Sequence, residues 1–460
     1  MNTIKCLALA SLLLFVFSSS VKSQHIIPVP KPGTIKSESK VPALNITRLT
    51  LSNGMKVILM PNMFEPGSIY FSLISPGGTS SYANADYLSA EQAAVVVRAG
   101  GLGNFDQKEL SAYLKGKKAG VNSFIVGRTE GLNGRTTPSD LETAMELTNA
   151  YFTAPRKDAQ AFDAMIAHWR AELPDQVKTA NDIFKDTIRM VRANYNTRFL
   201  MPISHDRLDQ ISLDKSFKIY QERFADASNF SAIFIGDINA QQIKPLLEKY
   251  LAGLPSTYSN EKTTELGINI PKGRIEKNVY KGNATEAQVQ LLYSGEFSAD
   301  EKNKFLLTAV VNDLRRRLPG KVKSVDKGVY GPGISSNVVT GNDDHYEISI
   351  EFACVPERID LIISAINTEI KNFQQAGPDL AALEKLKVEN IKANEDALKT
   401  NGFWINYLKA QAVRNAPLDE VLSYADRVNS VHPSDIKQAA AKFMSGKNFI
   451  RFELLPENSK

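Results

Sequence analysis

Pro138-Ser139-Asp140-Leu141 opens a stretch with Ala144, Leu147 and Phe152, and Pro356-Glu357-Arg358-Ile359 opens another of the same layout about 218 residues later. Proline suits a first helical turn, where its missing N–H has no partner to lose. Farther on, Phe217-Lys218 leads to Phe224, Asn229 and Phe230, while Ile436-Lys437 leads to Phe443, Asn448 and Phe449, at an offset of about 219. Two matches far apart in the chain at nearly one offset point to an internal duplication. Gly120-Val121 and Gly328-Val329 form a third candidate pair, but its offset is about ten shorter and requires an indel.

The duplication divides the chain into halves at 41–257 and 275–456, joined by a polar stretch at 258–274, Tyr258 to Gly273 at its heart. Each half reads as strands, then helices, then a closing helix–strand pair, an α+β order. In the first half, Ile46 to Leu51 alternates as a strand, Ser52-Asn53-Gly54 supplies a hairpin turn, and Met55 to Met60 returns. Ile69 to Ile74 is a further strand ending at Pro76-Gly77-Gly78. Helical periodicity from Ser89 to Arg98 closes at Gly100-Gly101. Residues 24–40, rich in Pro, Ser and Lys without a period, read as a flexible lead-in.

Lys5, the apolar run Cys6 to Phe17, and the small-residue exit at Ser23 describe a secretory signal peptide over 1–23, with Gln24 as the mature N-terminus. The expectation is an exported, soluble protein, periplasmic or extracellular, with no membrane span in the mature chain. Length (460 residues) and a 43% apolar content supply a large core, so disulfides are not needed. Cys354 would stand alone after cleavage. A net charge of +5 spread along the chain argues against a nucleic-acid binder.

No two of the five histidines stand four residues apart, so no helix presents two imidazoles to one zinc ion. His168 with Glu172 reads as an ordinary helical pair, and a zinc site built from scattered histidines has no sequence signature to mark it. No G-x-S-x-G elbow occurs, and Cys354 lies in an apolar strand where a thiol is inert. The Gly100-Gly101-Leu102-Gly103 cluster follows a helix instead of a strand, unlike a dinucleotide loop. Gly320-Lys321 lacks the upstream glycine and the Ser/Thr of a P-loop. Arg315-Arg316-Arg317, Lys321 and Lys323 form the densest basic stretch, readable as a solvated helix end. It leads into Gly328-Val329-Tyr330-Gly331, read as a tight turn that sets a phenol beside cations, equipment for holding a peptide carbonyl or its oxyanion.

These residues resemble the pitrilysin/insulinase family of zinc metallopeptidases over the mature length. Leu51 to Leu59 looks like the family's first strand pair, Ser75-Pro76-Gly77-Gly78-Thr79-Ser80 like the end of its next strand, and Asn401-Gly402-Phe403-Trp404 with Leu408 like its late helix. The resemblance implies two homologous half-domains, each an antiparallel sheet covered by helices, as in insulinase and the mitochondrial processing peptidases. It also implies an H-x-x-E-H zinc motif, whose matching stretch here is Leu88-Ser89-Ala90-Glu91-Gln92. Glu91 persists, but neither histidine does, and a glutamate alone cannot generate a metal-bound hydroxide. The likeness is thus to the non-catalytic portion. It implies that this chain binds no cofactor, that zinc and catalysis reside in a separate family subunit, and that peptides are the substrates. Tyr330 falls on the family's substrate-holding Tyr, and Lys323 on its Arg, keeping the charge without the planar fork. The expected function is a non-catalytic subunit of an exported two-chain peptidase; the alternative is a stand-alone peptide-binding or chaperone-like protein.

Overall fold

The computed structural model describes residues 25–173, 178–196, 198, 204–340 and 344–459; the expected export segment at 1–23 lies outside them. Seven strands form the first sheet: β1 (Ile35–Val41), β2 (Ile46–Leu51), β3 (Lys56–Pro61), β4 (Ile69–Pro76), β5 (Gly120–Val126), β6 (Thr129–Thr136) and β7 (Ser231–Gly236). Five form the second: β8 (Arg274–Tyr280), β9 (Ala287–Glu296), β10 (Tyr330–Val339), β11 (His345–Cys354) and β12 (Phe449–Leu455). The β2–β3 hairpin is fixed at its turn by Asn53, whose amide donates to the carbonyls of Leu251 (2.8 Å) and Leu254 (3.2 Å).

The sheets run β1-β2-β3-β7-β4-β6-β5 and β10-β11-β9-β12-β8. Reversing the second gives β8-β12-β9-β11-β10, which overlays β3-β7-β4-β6-β5 strand for strand. Direction agrees as well: β3 and β7 are parallel, as are β8 and β12, and the remaining neighbours are antiparallel. Register carries the offset of the sequence repeat. Ile69 faces Thr136 and Ala287 faces Cys354, both 218 residues on, while Tyr70 opposite Ile235 corresponds to Gln288 opposite Leu454. Pro138 and Pro356 each begin a short 3-10 turn that runs into the helix after the corresponding strand. The third sequence pair needs correcting. Gly120 faces Arg135 and Tyr330 faces Ala353, so Tyr330, not Gly328, is the counterpart of Gly120. A register shift between Tyr330 and Gly333 hides this in the sequence.

One face of each sheet is covered by helices of its own half. In the first, helices Tyr87–Gly100, Leu141–Thr153, Leu213–Arg223 and Ala240–Tyr250 enclose Leu73, Leu132 and Phe234. In the second, helices Glu301–Val325, Ile359–Ala376 and Pro433–Phe443 enclose Leu291, Ile348 and Ile350. The opposite faces are covered crosswise. Helix Asn401–Arg414 of the second half lays Trp404 and Leu408 on Ile58, Ile74, Ile233 and Ile235 of the first sheet. Helix Ala180–Arg192 of the first half lays Phe184 and Val191 on Leu292, Ile450, Phe452 and Leu454 of the second.

The lead-in, read as structureless, contains a paired strand. Ile26 and Ile27 are buried in the first core, the Ile26 N–H donates to Glu146 (2.9 Å), and β1 pairs antiparallel along β2. Its charged residues disguise an edge strand held by backbone hydrogen bonds instead of burial. The polar stretch between the halves has no regular structure, but Asp226 accepts hydrogen bonds from Ser256, Thr257 and Ser259, and Arg223 pairs with Glu261. Burial pushes the Asp226 carboxyl up, but hydrogen bonds from Ser259, Ser228 and Thr257 outweigh it and hold the group well below its usual range. Among the described residues, no helix is long and apolar enough to cross a membrane.

Candidate functional site

Helix Tyr87–Gly100 carries the stretch that resembles the metal motif, and its first turn is packed shut. Leu88 is 5% exposed and sits in an apolar cluster with Tyr87, Leu208 and Ile211. Helix Ala159–Glu172 closes the cluster with Phe162, Ile166 and Trp169. Glu91 and Gln92 are half-buried one turn on, and the Tyr87 hydroxyl donates to Glu91 (2.8 Å). Burial first, then that bond, push the Tyr87 phenol above its usual range. Arg198 lies over the Tyr87 ring (5.3 Å), held by Asn84 Oδ1 (2.7 Å) and the Thr79 carbonyl (2.9 Å).

This surrounding does not fit zinc. An isobutyl group offers no lone pair, and the helix facing it presents three apolar side chains where a ligand would have to stand. His168 is on that helix but points to solvent, 3.4 Å from Glu172, with both side chains 66% exposed. Among the described residues, no group of three or more His, Cys, Asp or Glu is placed to hold a metal ion. Cys354 is buried, and burial raises its thiol to about 11, so it is a poor nucleophile.

A different polar group lies beneath the Gly77-Gly78 end of β4. Glu130 on β6 is fully buried and accepts the Gly78 N–H, beside Arg223 and its partner Glu261. A Cβ on Gly77 would meet Arg223 at 2.5 Å and Glu130 at 3.0 Å, so glycine lets the backbone close over the cluster. Burial pushes the Glu130 carboxyl up to about 8, opposed by the Gly78 N–H and Arg223. Nothing in the alternation of β6 marks this residue as unusual in the sequence.

In the second half Tyr330 is exposed (70%) and begins β10. The turn read there lies earlier, at Lys327-Gly328, where Asp326 accepts the Gly328 N–H (2.8 Å). Gly331 takes φ 98°, and a Cβ there would meet the Glu351 carbonyl at 2.9 Å. Tyr330 lines an open cavity of about 440 Å³ with Gln290, Glu351 and Phe352 of its own sheet and Phe184, Lys185 and Ile188 of the crossing helix Ala180–Arg192. Those three residues were not foreseen, because an amphipathic helix reveals which face it buries and not against what. Lys323 is exposed in the last turn of helix Glu301–Val325 and is not among the cavity's lining residues. Of the basic run, Arg316 and Arg317 fork onto Asp313, and Arg317 also nears Glu369.

Residues 210–389 match the model of the Peptidase M16 inactive domain, a span that starts before helix Leu213–Arg223 of the first half and ends in the second. The chain is 25% identical over 409 residues to "Zinc protease PQQL-like" of Arabidopsis thaliana, covering 84% of this chain and 39% of that protein. It is 24% identical over 372 residues to "Probable zinc protease PqqL" of Haemophilus influenzae, covering 78% and 38%. The chain thus spans about two fifths of the length of these curated relatives. Its fold matches the periplasmic protease PqqL from Escherichia coli with a TM-score of 0.82 at 16% identity, over 97% of this chain and 49% of that one. It also matches the peptidase M16 inactive domain from Pseudomonas fluorescens, with a TM-score of 0.65 at 16% identity over 90% and 98%.

Proposed function

We propose that this chain, whose match is to the inactive domain of peptidase M16 and whose relatives are PqqL-like zinc proteases, is the non-catalytic half of an exported peptidase whose zinc-bearing half is a separate polypeptide. One observation carries the reading: Leu88, at the first metal position, is sealed into an apolar cluster, while Tyr330 stands open to solvent. The partner would supply the metal, which activates a water and polarises the peptide carbonyl. This chain would supply a wall of the peptide chamber, with the Tyr330 hydroxyl donating to the oxyanion and Lys323 adding positive charge. The export signal read in residues 1–23 and the periplasmic relative from Escherichia coli fit that location.

The test is to purify the tagged mature chain from its native host and analyse metal and peptidase activity in the complex. The expected result is a second polypeptide carrying the metal ligands, with zinc and chelator-sensitive cleavage that leave with it. About one zinc retained per isolated chain, with cleavage, would overturn the reading. Peptide affinity with no metal-bearing partner in any fraction would move it to a stand-alone peptide-binding protein.

A further inference from the structure

The polar stretch that joins the halves is fastened to the first half by a series of polar bonds. The Tyr258 hydroxyl donates to the Ser52 carbonyl (2.8 Å), the Ser259 N–H to Asp226 (2.8 Å) and the Glu261 N–H to Asn229 Oδ1 (3.0 Å). The Thr264 N–H donates to the Ser80 hydroxyl (3.3 Å), Glu261 pairs with Arg223, and Glu265 pairs with Arg128 (2.9 Å). Residues 258–265 thus lie as a strap over the turn Gly78–Ser81, and none of their side chains enters an apolar cluster among the described residues. The far end of the stretch is held by the second half, where Asn448 Oδ1 accepts the Gly273 N–H (2.9 Å).

Beneath the strap one guanidinium faces two carboxylates. A Cβ on Gly77 would meet Arg223 at 2.5 Å, Glu130 at 3.0 Å and Glu261 at 3.1 Å. The two acids differ in what they can do. Glu130 is fully buried on β6; its Oε2 accepts the Gly78 N–H, and its Oε1 has no hydrogen-bond donor among the described residues. The Ser75 hydroxyl, which also faces it, donates to the Pro76 carbonyl (3.1 Å). Glu261 sits on an irregular segment with 21% of its side chain exposed, so it can turn to water. Around these three stand the Arg128–Glu265 pair and Tyr82, whose hydroxyl accepts from Arg223 Nε (3.1 Å) and donates to Glu222 (3.0 Å). Burial holds the Tyr82 phenol above its usual range, and Asp226 lies far below its own, so neither changes charge near neutral pH.

We propose that residues 260–265 are a releasable strap: ionisation of Glu130 leaves two carboxylates on one guanidinium, Glu261 gives up Arg223 for water, and the segment lifts from the turn Gly78–Ser81, uncovering Arg223 and Arg128. Like charges crowd badly where water is excluded, and of the two acids only Glu261 has a route out. Burial raises the Glu130 carboxyl to about 8, so in the fastened state it carries its proton at neutral pH. The fastened state is therefore favoured at low pH, and opening grows as pH rises and levels off above about 8. The lift is local, because Asp226 and Asn448 tether the two ends and the crossing helices hold the halves together. The device needs neither a metal nor a partner chain.

The test is amide hydrogen exchange on the full mature chain without a partner, at about pH 6 and about pH 9, with each rate divided by that of an unstructured peptide at the same pH. The expected result is protection at the Glu261 and Thr264 amides that falls about tenfold or more at the higher pH, with both amides exchanging ahead of those in β3 and β7. Glu130→Gln keeps the strap fastened at both pH values. Glu261→Gln, a change at the surface that leaves the core intact, also removes the pH dependence, because a neutral amide does not repel an ionised Glu130. Equal protection at both pH values in the unmutated chain, a fall that persists in Glu261→Gln, or strap amides exchanging in step with β3 and β7 overturns the proposal.

Discussion

The same connection in the two halves is built for opposite ends. From β4 to β5 the chain makes two helices, Tyr87–Gly100 of 14 residues and Gln107–Tyr113 of 7, the first with its opening turn buried under Phe162, Ile166 and Trp169. From β9 to β10 it makes a helix of 25 residues, Glu301–Val325, whose last turn projects Lys323 into solvent ahead of Tyr330. The strand that follows lengthens from 7 residues to 10. The two copies of one scaffold thus differ at opposite ends of this connection: one buries its first helical turn under hydrocarbon, the other exposes a cationic last turn. Strand order and register survive such divergence because they are held by cores and backbone pairing, whereas a site depends on a few side chains.

The largest effect expected from probing this comparison is at the crossing helices. Trp404→Ala should cost about 3–5 kcal/mol by opening a cavity over the first sheet, although Trp404 belongs to the second half. Phe184→Ala should cost about 3 kcal/mol over the second sheet. Chemical denaturation with a tryptophan or tyrosine probe in each half checks both; loss confined to the mutated residue's own half would break the account of crosswise covering.

Next is an attempt to reverse the divergence. Leu88→His with Gln92→His should not give retained zinc, because Phe162, Ile166 and Trp169 leave no third ligand. It should destabilise by about 1–3 kcal/mol through an imidazole buried without a partner. Metal analysis after dialysis decides it, and stoichiometric zinc would show the corner to be closer to catalysis than its packing indicates.

The smallest effect is on pH dependence, where the halves again oppose each other. Glu130 is raised by burial from 4.5 to about 8, so the folded state holds its proton more tightly. Its contribution is complete below 4.5 and is lost as pH rises through 8. Glu347, on β11 against Arg192 and His345, is lowered to about 2 by those partners although burial opposes ionisation. Its contribution is present above 4.5 and is lost as pH falls through 2. Glu130→Gln should flatten the alkaline fall in Tm and leave the acid limb, and Glu347→Gln the reverse.

Much of this was legible in the sequence, for identifiable reasons. Pro138 with Pro356, and Asn229 with Asn448, gave the repeat because turn and cap residues answer to local backbone geometry, which duplication preserves. That Leu88 and Gln92 offer zinc no imidazole was legible because ligand chemistry tolerates few residue types. β1 was missed because an edge strand held by main-chain bonds need not alternate in polarity. The match of Gly120 to Tyr330 was missed because a bulge shifts the register without leaving a marker. Of the crossing helices, only the stretch from Asn401 to Leu408 was read as a helix, by resemblance; Ala180–Arg192 was not singled out, and apolar faces such as those of Phe184 and Trp404 do not name the sheet they cover. Glu130 was invisible because its burial is decided by the Gly77-Gly78 backbone, more than fifty residues earlier in the chain.

The central claim, that this chain acts on another chain's zinc site, is tested most directly by steady-state turnover of the reconstituted pair carrying Tyr330→Phe. Removing one oxyanion donor should lower kcat by about 10²-fold with assembly intact, and Lys323→Ala should lower it less, since a flexible ammonium adds charge without fixed geometry. If Tyr330→Phe and Lys323→Ala both leave turnover and substrate affinity unchanged, the chain is a scaffold and the claim is contradicted.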